Sequence, residues 1–439
     1  MGLVSKLDKL KIKSSDSDKE PSMKFSQLKP EMVTGNEKNE NTDDIDEVDN
    51  EGSSIIRAII AQLKPGCDLT RITLPTFILE KKSMLERITN FFQIPDIMLQ
   101  ANNTEDPLER FLLITKWYLA SWHIAPKAVK KPLNPVLGEI FACYWDDMPD
   151  GSSAYYLAEQ TSHHPPKSSY FYLSPENKIR VDGILIPKSK FLGNSSAAMM
   201  EGWAHVTLGR WSNETYIMNQ PNVYARGILF GKLRYELGDH MIIKCPDSGY
   251  EADIEFKTKG YISGTYDAIE GKIRKIGSPD TLFTITGKWN DVMEIKNHKT
   301  GKITTFYDTN NSLTHKPKVR PEDEQAHNES RKLWGPTIKA LARRNHTEAT
   351  DEKFKVEDEQ RSLAKKRIED GVEFHPKFFQ PITLSDTTNE ELEYIIYKKF
   401  DLDNDPETLK NRLFEVMAFL PGQTHDEKFA IPAYKKVNH

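Results

Sequence analysis

No stretch of this chain is apolar for long enough to span a bilayer, and the amino terminus has no apolar signal-peptide core. Cysteine is scarce. Cys67, Cys143 and Cys245 stand far apart in no metal-binding spacing, and an odd number makes a poor disulfide framework. That scarcity points to a reducing, intracellular compartment. A basic excess is also missing: 60 Lys and Arg face 65 Asp and Glu, for a net charge of -5, so composition gives no argument for nucleic acid as a partner. A local basic face stays compatible with that balance. The opening MGLVSK misses the myristoylation pattern, because Lys6 stands where Ser or Thr is needed. No internal repeat is visible, and neither an HxxxH nor a CxxC pair suggests a metal site. If such a protein works on membranes, it visits them.

What is present is enough apolar material for a sizeable core, 38% of 439 residues, with 10% aromatic. Residues 1–52 are polar and are expected to be disordered, with a basic block, KLDKLKIK, and an acidic one, TDDIDEVDNE. The length allows one large domain or two to three ordinary ones. In SSIIRAIIAQLKPG, residues 53–66, Ile55, Ile56, Ile59, Ile60 and Leu63 share one helical face, Ser53 or Ser54 caps the start, and Pro65–Gly66 ends it. So short a one-sided helix must cover a core, a cavity mouth or a membrane. Residues 67–136 are mostly helical, and 311–439 return to helix after a long strand-rich middle. The late helix TDEKFKVEDEQRSLAKKRIED is expected to be capped by Thr350 and stopped at Gly371. Between 137 and 310, short strands follow one another with turn signals and no helix between them, which means antiparallel meanders. So many strands favour closure, which removes exposed edges. The expected fold is therefore mainly β with α: a large, near-closed antiparallel β-barrel around a tunnel, with a lid helix and helical parts on either side.

Three stretches carry candidate chemistry. In EQTSHHPP, residues 159–166, His163 and His164 stand at a strand end stiffened by two prolines. Two imidazoles there could donate to one multivalent anion, and a phosphate would favour their protonated form. They could equally be hydrogen-bonded members of a structural turn. Ser162 lies beside them without the G-x-S-x-G setting of a nucleophile. In KAVKKPLNPVLGE, residues 127–139, Lys127, Lys130 and Lys131 cluster, and Asn134 follows between two prolines. A point charge and a two-way amide suit a polar head group, although a solvated basic turn has the same composition. On the late helix, Lys353, Glu357 and Arg361 recur every fourth residue on one stripe. They are either an exposed ion-pair ladder, worth about a few tenths of a kcal/mol per pair, or two cations aimed at an anion, with Glu357 tying both.

Together these stretches resemble the fingerprint of the oxysterol-binding-protein-related lipid transfer family, in the family's order, over about residues 53–439. LKPGCDLTRITLPTFILEKKSMLERIT, WHIAPKAVKKPLNPVLGE and IPKSKFLGNSSAAMM are similar to the short fungal branch that carries phosphatidylserine. The resemblance implies a non-enzymatic exchanger without cofactor. It would move phosphatidylserine against phosphatidylinositol 4-phosphate between endoplasmic reticulum and plasma membrane, one lipid at a time in a shared tunnel. By the same carry-over, His163, His164, Lys353 and Arg361, assisted by Glu357, would hold the inositol-bound phosphate, and Lys131 and Asn134 would touch either head group. Leu74 would offer backbone groups to the serine head, Ser189 would meet the phosphatidylserine phosphate, and the 53–66 helix would be the lid. The implied partners are the two lipids, transiently touched anionic membrane surfaces and a contact-site receptor on the endoplasmic reticulum. The implied state is a cytoplasmic monomer, peripheral at membrane contacts.

The physics agrees with such a carrier. Each CH₂ of a lipid exposed to water costs roughly 0.8 kcal/mol, and a closed apolar tunnel removes that cost. The acidic block from Asp43 to Glu51 should be repelled by anionic leaflets and so shorten membrane residence, unless the tail is inert. Three other readings compete: a sterol carrier or sterol–phosphoinositide exchanger of the same family, a lipid hydrolase using Ser162 and His163, and a passive membrane tether.

Overall fold

Segments rich in aromatic and β-branched residues suit a pleated surface with a buried face. IFACYW, at Ile140–Trp145 (β1), is buried throughout, whereas Tyr250–Lys257 (β10) buries Ala252, Ile254 and Phe256 and turns the residues between them outward. The computed structural model describes residues 32–33, 76–125, 130–192, 195–227, 234–260, 264–382, 392–423 and 434–436, all within one unit, 31–439. The 1–52 tail apart from 32–33, the 53–66 lid and Leu74 therefore lie outside the described residues. No helix among the described residues is long and apolar enough to cross a membrane.

β1 begins an antiparallel meander that continues through Ala154–His163 (β2), Pro166–Ser174 (β3) and Ile179–Phe191 (β4). Two kinked strands follow. Ser195–Glu201 (β5) and Ala204–Leu208 (β6) both pair with β4, and Glu214–Met218 (β7) and Asn222–Arg226 (β8) both pair with Arg234–Cys245 (β9). The first kink needs Gly202, which has φ +111°; an added Cβ would lie 2.1 Å from the Ile184 carbonyl oxygen. Beyond β9 the meander runs through β10, Ala268–Lys275 (β11), Thr281–Lys288 (β12), Val292–Asn297 (β13) and Ile303–Asp308 (β14). At the other edge Lys318–Val319 (β15) pairs with β1, and Met32–Val33 pairs with β15.

The expected closed barrel is not formed. The 16-stranded sheet has two ends, β14 and Met32–Val33, and among the described residues no pairing joins them. Helices do what closure would have done. Pro95–Asn102 (α1) and Pro107–Ser121 (α2) share one core with the sheet's apolar face, and α2 is buried on most of its circumference. The Phe111 ring meets Tyr216 and Tyr250, Trp122 meets Phe256, and Lys116 lies 5.3 Å over Phe306 of β14. Edge exposure is limited by brevity and irregularity: β14 has six residues and its register with β13 slips at Met293/Glu294. The fold is a mixed α/β one around a large open antiparallel sheet.

Asp106 starts α2 by accepting from the Glu109 N–H at 2.8 Å, with Pro107 in the first turn. C-terminal to the sheet come Gly335–Ala342 (α3), His346–Glu369 (α4) and Pro406–Phe414 (α5). α4 starts a turn earlier than expected. Asn345, not Thr350, is its cap: Asn345 Oδ1 accepts from the Glu348 N–H and the Asn345 amide donates to the Glu348 carboxylate. It ends where expected, with Gly371 at φ 61° just past the last turn.

Candidate functional site

The strand β2 changes character near its end. Its register with β3 shifts between Gln160 and Ser162, a bulge that re-aims the side chains beyond it. Gln160 lines one cavity, and Thr161, Ser162, His163 and His164 line another. Glu159, just before the bulge, accepts from the Lys377 and Phe378 N–H groups at 2.7 and 2.8 Å; burial pushes its carboxyl up to about 7.

The outer cavity holds about 1450 Å³ of empty space, its open side included. On one wall the His163 and His164 rings lie 4.6 Å apart at 66°. On the other, α4 presents Lys353, Glu357 and Arg361. A third wall is the turn that carries Asn134, Val136 and Leu137. This turn is held from three sides. Glu139 accepts from the Val136 N–H, the Ser330 hydroxyl and the Trp334 indole, and burial pushes its carboxyl up. Gln360 of α4 accepts from the Leu137 N–H at 3.1 Å, and His163 Nδ1 donates to the Pro135 carbonyl at 3.2 Å. Gly138 has φ +77°, with the Phe374 ring 3.2 Å from where a Cβ would sit.

The electrostatics are cationic but not as the helix spacing suggested. Glu357 binds Lys353, whereas Arg361 turns to Asp358 at 3.2 Å and lies 5.2 Å over the Phe354 ring. Two side chains of this wall escaped sequence reasoning: Gln360 and Arg367, seven and fourteen residues after Lys353. Their heptad spacing from Lys353 places them on one stripe and was the signal available. His163 is held below the ordinary imidazole value, first by burial and then by the neighbouring His164. Ser162 donates its hydroxyl to the Pro165 carbonyl at 2.8 Å, so it has no general base and belongs to the turn. Among the described residues no group of three or more His, Cys, Asp or Glu side chains is arranged to hold a metal ion.

The inner cavity holds about 1580 Å³, its open side included, between the sheet and the helical layer. Its walls are largely apolar, with Met84, Ile88, Phe91, Trp122, Leu185 and Val223 among them. Register explains the sheet side: Ser189 faces Ala198, Ala198 faces Val223, and these pairs share one surface. Lys131, Asn134 and Ser189 also line this cavity, and the Ser189 hydroxyl is buried without a hydrogen-bond partner. Asn134 lines both cavities. The structure thus gathers His163, His164, Asn134, Lys353, Glu357 and Arg361 around the outer chamber and Lys131, Asn134 and Ser189 around the tunnel below it.

The family model described as "Oxysterol-binding protein" matches residues 58–405. The chain is 65% identical over 436 residues to "Oxysterol-binding protein-like protein OBPalpha" of Candida albicans, covering 99% of both. To "Oxysterol-binding protein homolog 6" of Saccharomyces cerevisiae it is 56% identical over 430 residues, covering 96% of this chain and 94% of the other. Two solved structures share its fold: the Osh1 ORD domain in complex with ergosterol, at TM-score 0.64, 24% identity and 77% and 84% of the two chains, and the Saccharomyces cerevisiae Osh3 ORD in complex with PI(4)P, at TM-score 0.59, 19% identity and 83% and 94%.

Proposed function

The chain belongs to the oxysterol-binding protein family, and on that premise we propose that it exchanges phosphatidylserine for phosphatidylinositol 4-phosphate between endoplasmic reticulum and plasma membrane, one lipid at a time. The family is one of lipid binders and carriers, not of enzymes. The observation that carries the reading is Asn134, which lines both a cationic chamber and an apolar tunnel. A lipid with an anionic head and two acyl chains has that same division.

In this reading the inositol-bound phosphate sits between the His163–His164 pair and Lys353 and Arg361, with Glu357 fixing Lys353. The acyl chains run into the tunnel. The serine head of the other lipid uses Lys131 and Asn134, its phosphate meets the unpartnered Ser189 hydroxyl, and Leu74 contributes from the segment before the described residues. Because both lipids need Asn134 and the same tunnel, one excludes the other. A sterol, such as the ergosterol bound by Osh1, would occupy the tunnel but offer no anion to the chamber that His163, His164, Lys353, Arg361 and Arg367 line. That favours the anionic lipids.

Transfer between two vesicle populations tests the reading. Phosphatidylserine should leave donor vesicles several-fold faster when acceptors hold phosphatidylinositol 4-phosphate. Ergosterol as the main lipid recovered from purified protein, with no two-chain anionic lipid, would overturn it.

The histidine geometry adds a pH dependence. With Nδ1 donating to Pro135, the His163 Nε2 can donate to a phosphate only after the ring gains a second proton. The free ring's value is lowered, and a bound phosphate raises it, so binding takes up a proton. Affinity for a short-chain phosphatidylinositol 4-phosphate should therefore rise as pH falls through the bound-state value and level off below the free-state value. The slope should approach about tenfold per pH unit beyond that of His163→Gln, which isolates the imidazole from the ligand's own titration. Identical slopes would contradict the assignment.

A further inference from the structure

Gln160 is 0% exposed yet lines the tunnel, three residues before His163 on the same strand. Its backbone is already paired: the amide donates to the Glu139 carbonyl at 2.9 Å and the carbonyl accepts from Gly138 at 3.0 Å. One end of the side-chain amide is also paired, since the Ser168 hydroxyl donates to Oε1 at 2.6 Å. The other end, Nε2, has no partner. A buried amide left without an acceptor costs about 1–3 kcal/mol, so a bound ligand that supplied the acceptor would recover that amount.

The sheet register shows where the amide points. Gln160 faces Ser168 and Ser168 faces Leu185, so the three stand in one row across β2, β3 and β4, and all three line the tunnel. The row lies roughly 10 Å along the strand from His163, at about 3.3 Å per residue. In a phosphoinositide whose terminal phosphate rests on the histidines, the inositol ring and the phosphodiester fill the space between, and the glycerol esters come next. An ester carbonyl can only accept a hydrogen bond, and Nε2 can only donate one.

We propose that Gln160 Nε2 donates to an ester carbonyl of the lipid's glycerol backbone, so that this carrier reads the diester linkage shared by its cargoes and not only their heads. This rests on the exchange reading above. It also makes the tunnel less suited to a sterol, whose single hydroxyl could satisfy either the head region or Gln160 but not both.

The test uses the full chain and phosphatidylcholine vesicles that carry either dioleoyl phosphatidylserine or its diether analogue, which lacks both carbonyls. Wild type should extract the diester about five- to tenfold better, the worth of one hydrogen bond. Gln160→Met, paired with Ser168→Ala so that no hydroxyl is stranded, should extract both lipids alike, near the wild-type diether level. Equal handling of the two lipids by wild type overturns the proposal whether or not the variant folds. So does an unchanged diester preference in the variant, and so does an equal loss of both lipids, which would put the donor on the phosphodiester. Extraction of neither lipid by wild type would instead sink the exchange reading, and this inference with it.

Discussion

Replacing His163 and His164 together by Ala should lower phosphatidylinositol 4-phosphate extraction by about a hundredfold or more while phosphatidylserine extraction stays within a fewfold of wild type. The rings lie 4.6 Å apart at the end of β2, and both face the chamber opposite Lys353 and Arg361. Hydrogen bonds to a charged group contribute roughly 1.5–3 kcal/mol each, and two of them make at least about two decades of affinity. Neither imidazole lines the tunnel, so a ligand held by Lys131, Asn134 and Ser189 has little to lose. Loss of the Pro135 contact falls on a turn that Glu139 and Gln360 also hold. Vesicle extraction of each lipid, measured separately, checks this. Equal loss of both would show that the division of the two heads is wrong.

The second large effect concerns the layer that fills the open sheet. Arg110 of α2 is 3% exposed and forks onto Glu214 of β7, with Nε and Nη2 each donating at 2.8 Å. Its Nη1 donates to the Thr104 and Glu105 carbonyls, and its guanidinium lies 4.2 Å from the Trp211 ring centroid. Arg110→Ala removes a polar tie of the helix to the sheet and leaves a buried carboxylate for which, among the described residues, Tyr216 is the remaining side-chain donor. The expected loss is about 3–5 kcal/mol, read as a shift of the denaturation midpoint. Changing both partners, Arg110→Met with Glu214→Leu, should regain most of it, because the stranded charge is gone. A loss below about 1 kcal/mol in the single variant would mean that this helix is not fastened to the sheet as described.

The strands were legible because short apolar and aromatic runs and turn residues write them: β10 alternates buried and outward residues, whereas β1 is buried throughout and β2 over all but its last two. Closure was not legible. Whether the first and last strands meet depends on what fills the space between them, and here Phe111, Trp117 and Trp122 do so from a helical layer whose sequence gives no hint of its partner. At α4 the start was missed although Asn345 caps the Glu348 N–H and its side-chain amide meets the Glu348 carboxylate; the polar run before the helix masked it. Among the site residues, the histidine pair and the Lys353–Glu357 stripe stand out in sequence because charged and imidazole groups are conspicuous. Arg361 was placed on the right stripe but with the wrong partner, since a side chain between Asp358 and Phe354 settles by local geometry. Gln160 was passed over because nothing local distinguishes a strand glutamine that faces a tunnel from one that faces water; only the register with Ser168 and Leu185 does.

Exclusive occupancy is most directly measured by native mass spectrometry of the full chain after incubation with vesicles that contain both phosphatidylserine and phosphatidylinositol 4-phosphate. One shared tunnel predicts two loaded species, each a single chain with one lipid, whose ratio shifts as either lipid is increased. A single chain carrying both lipids at once would contradict it.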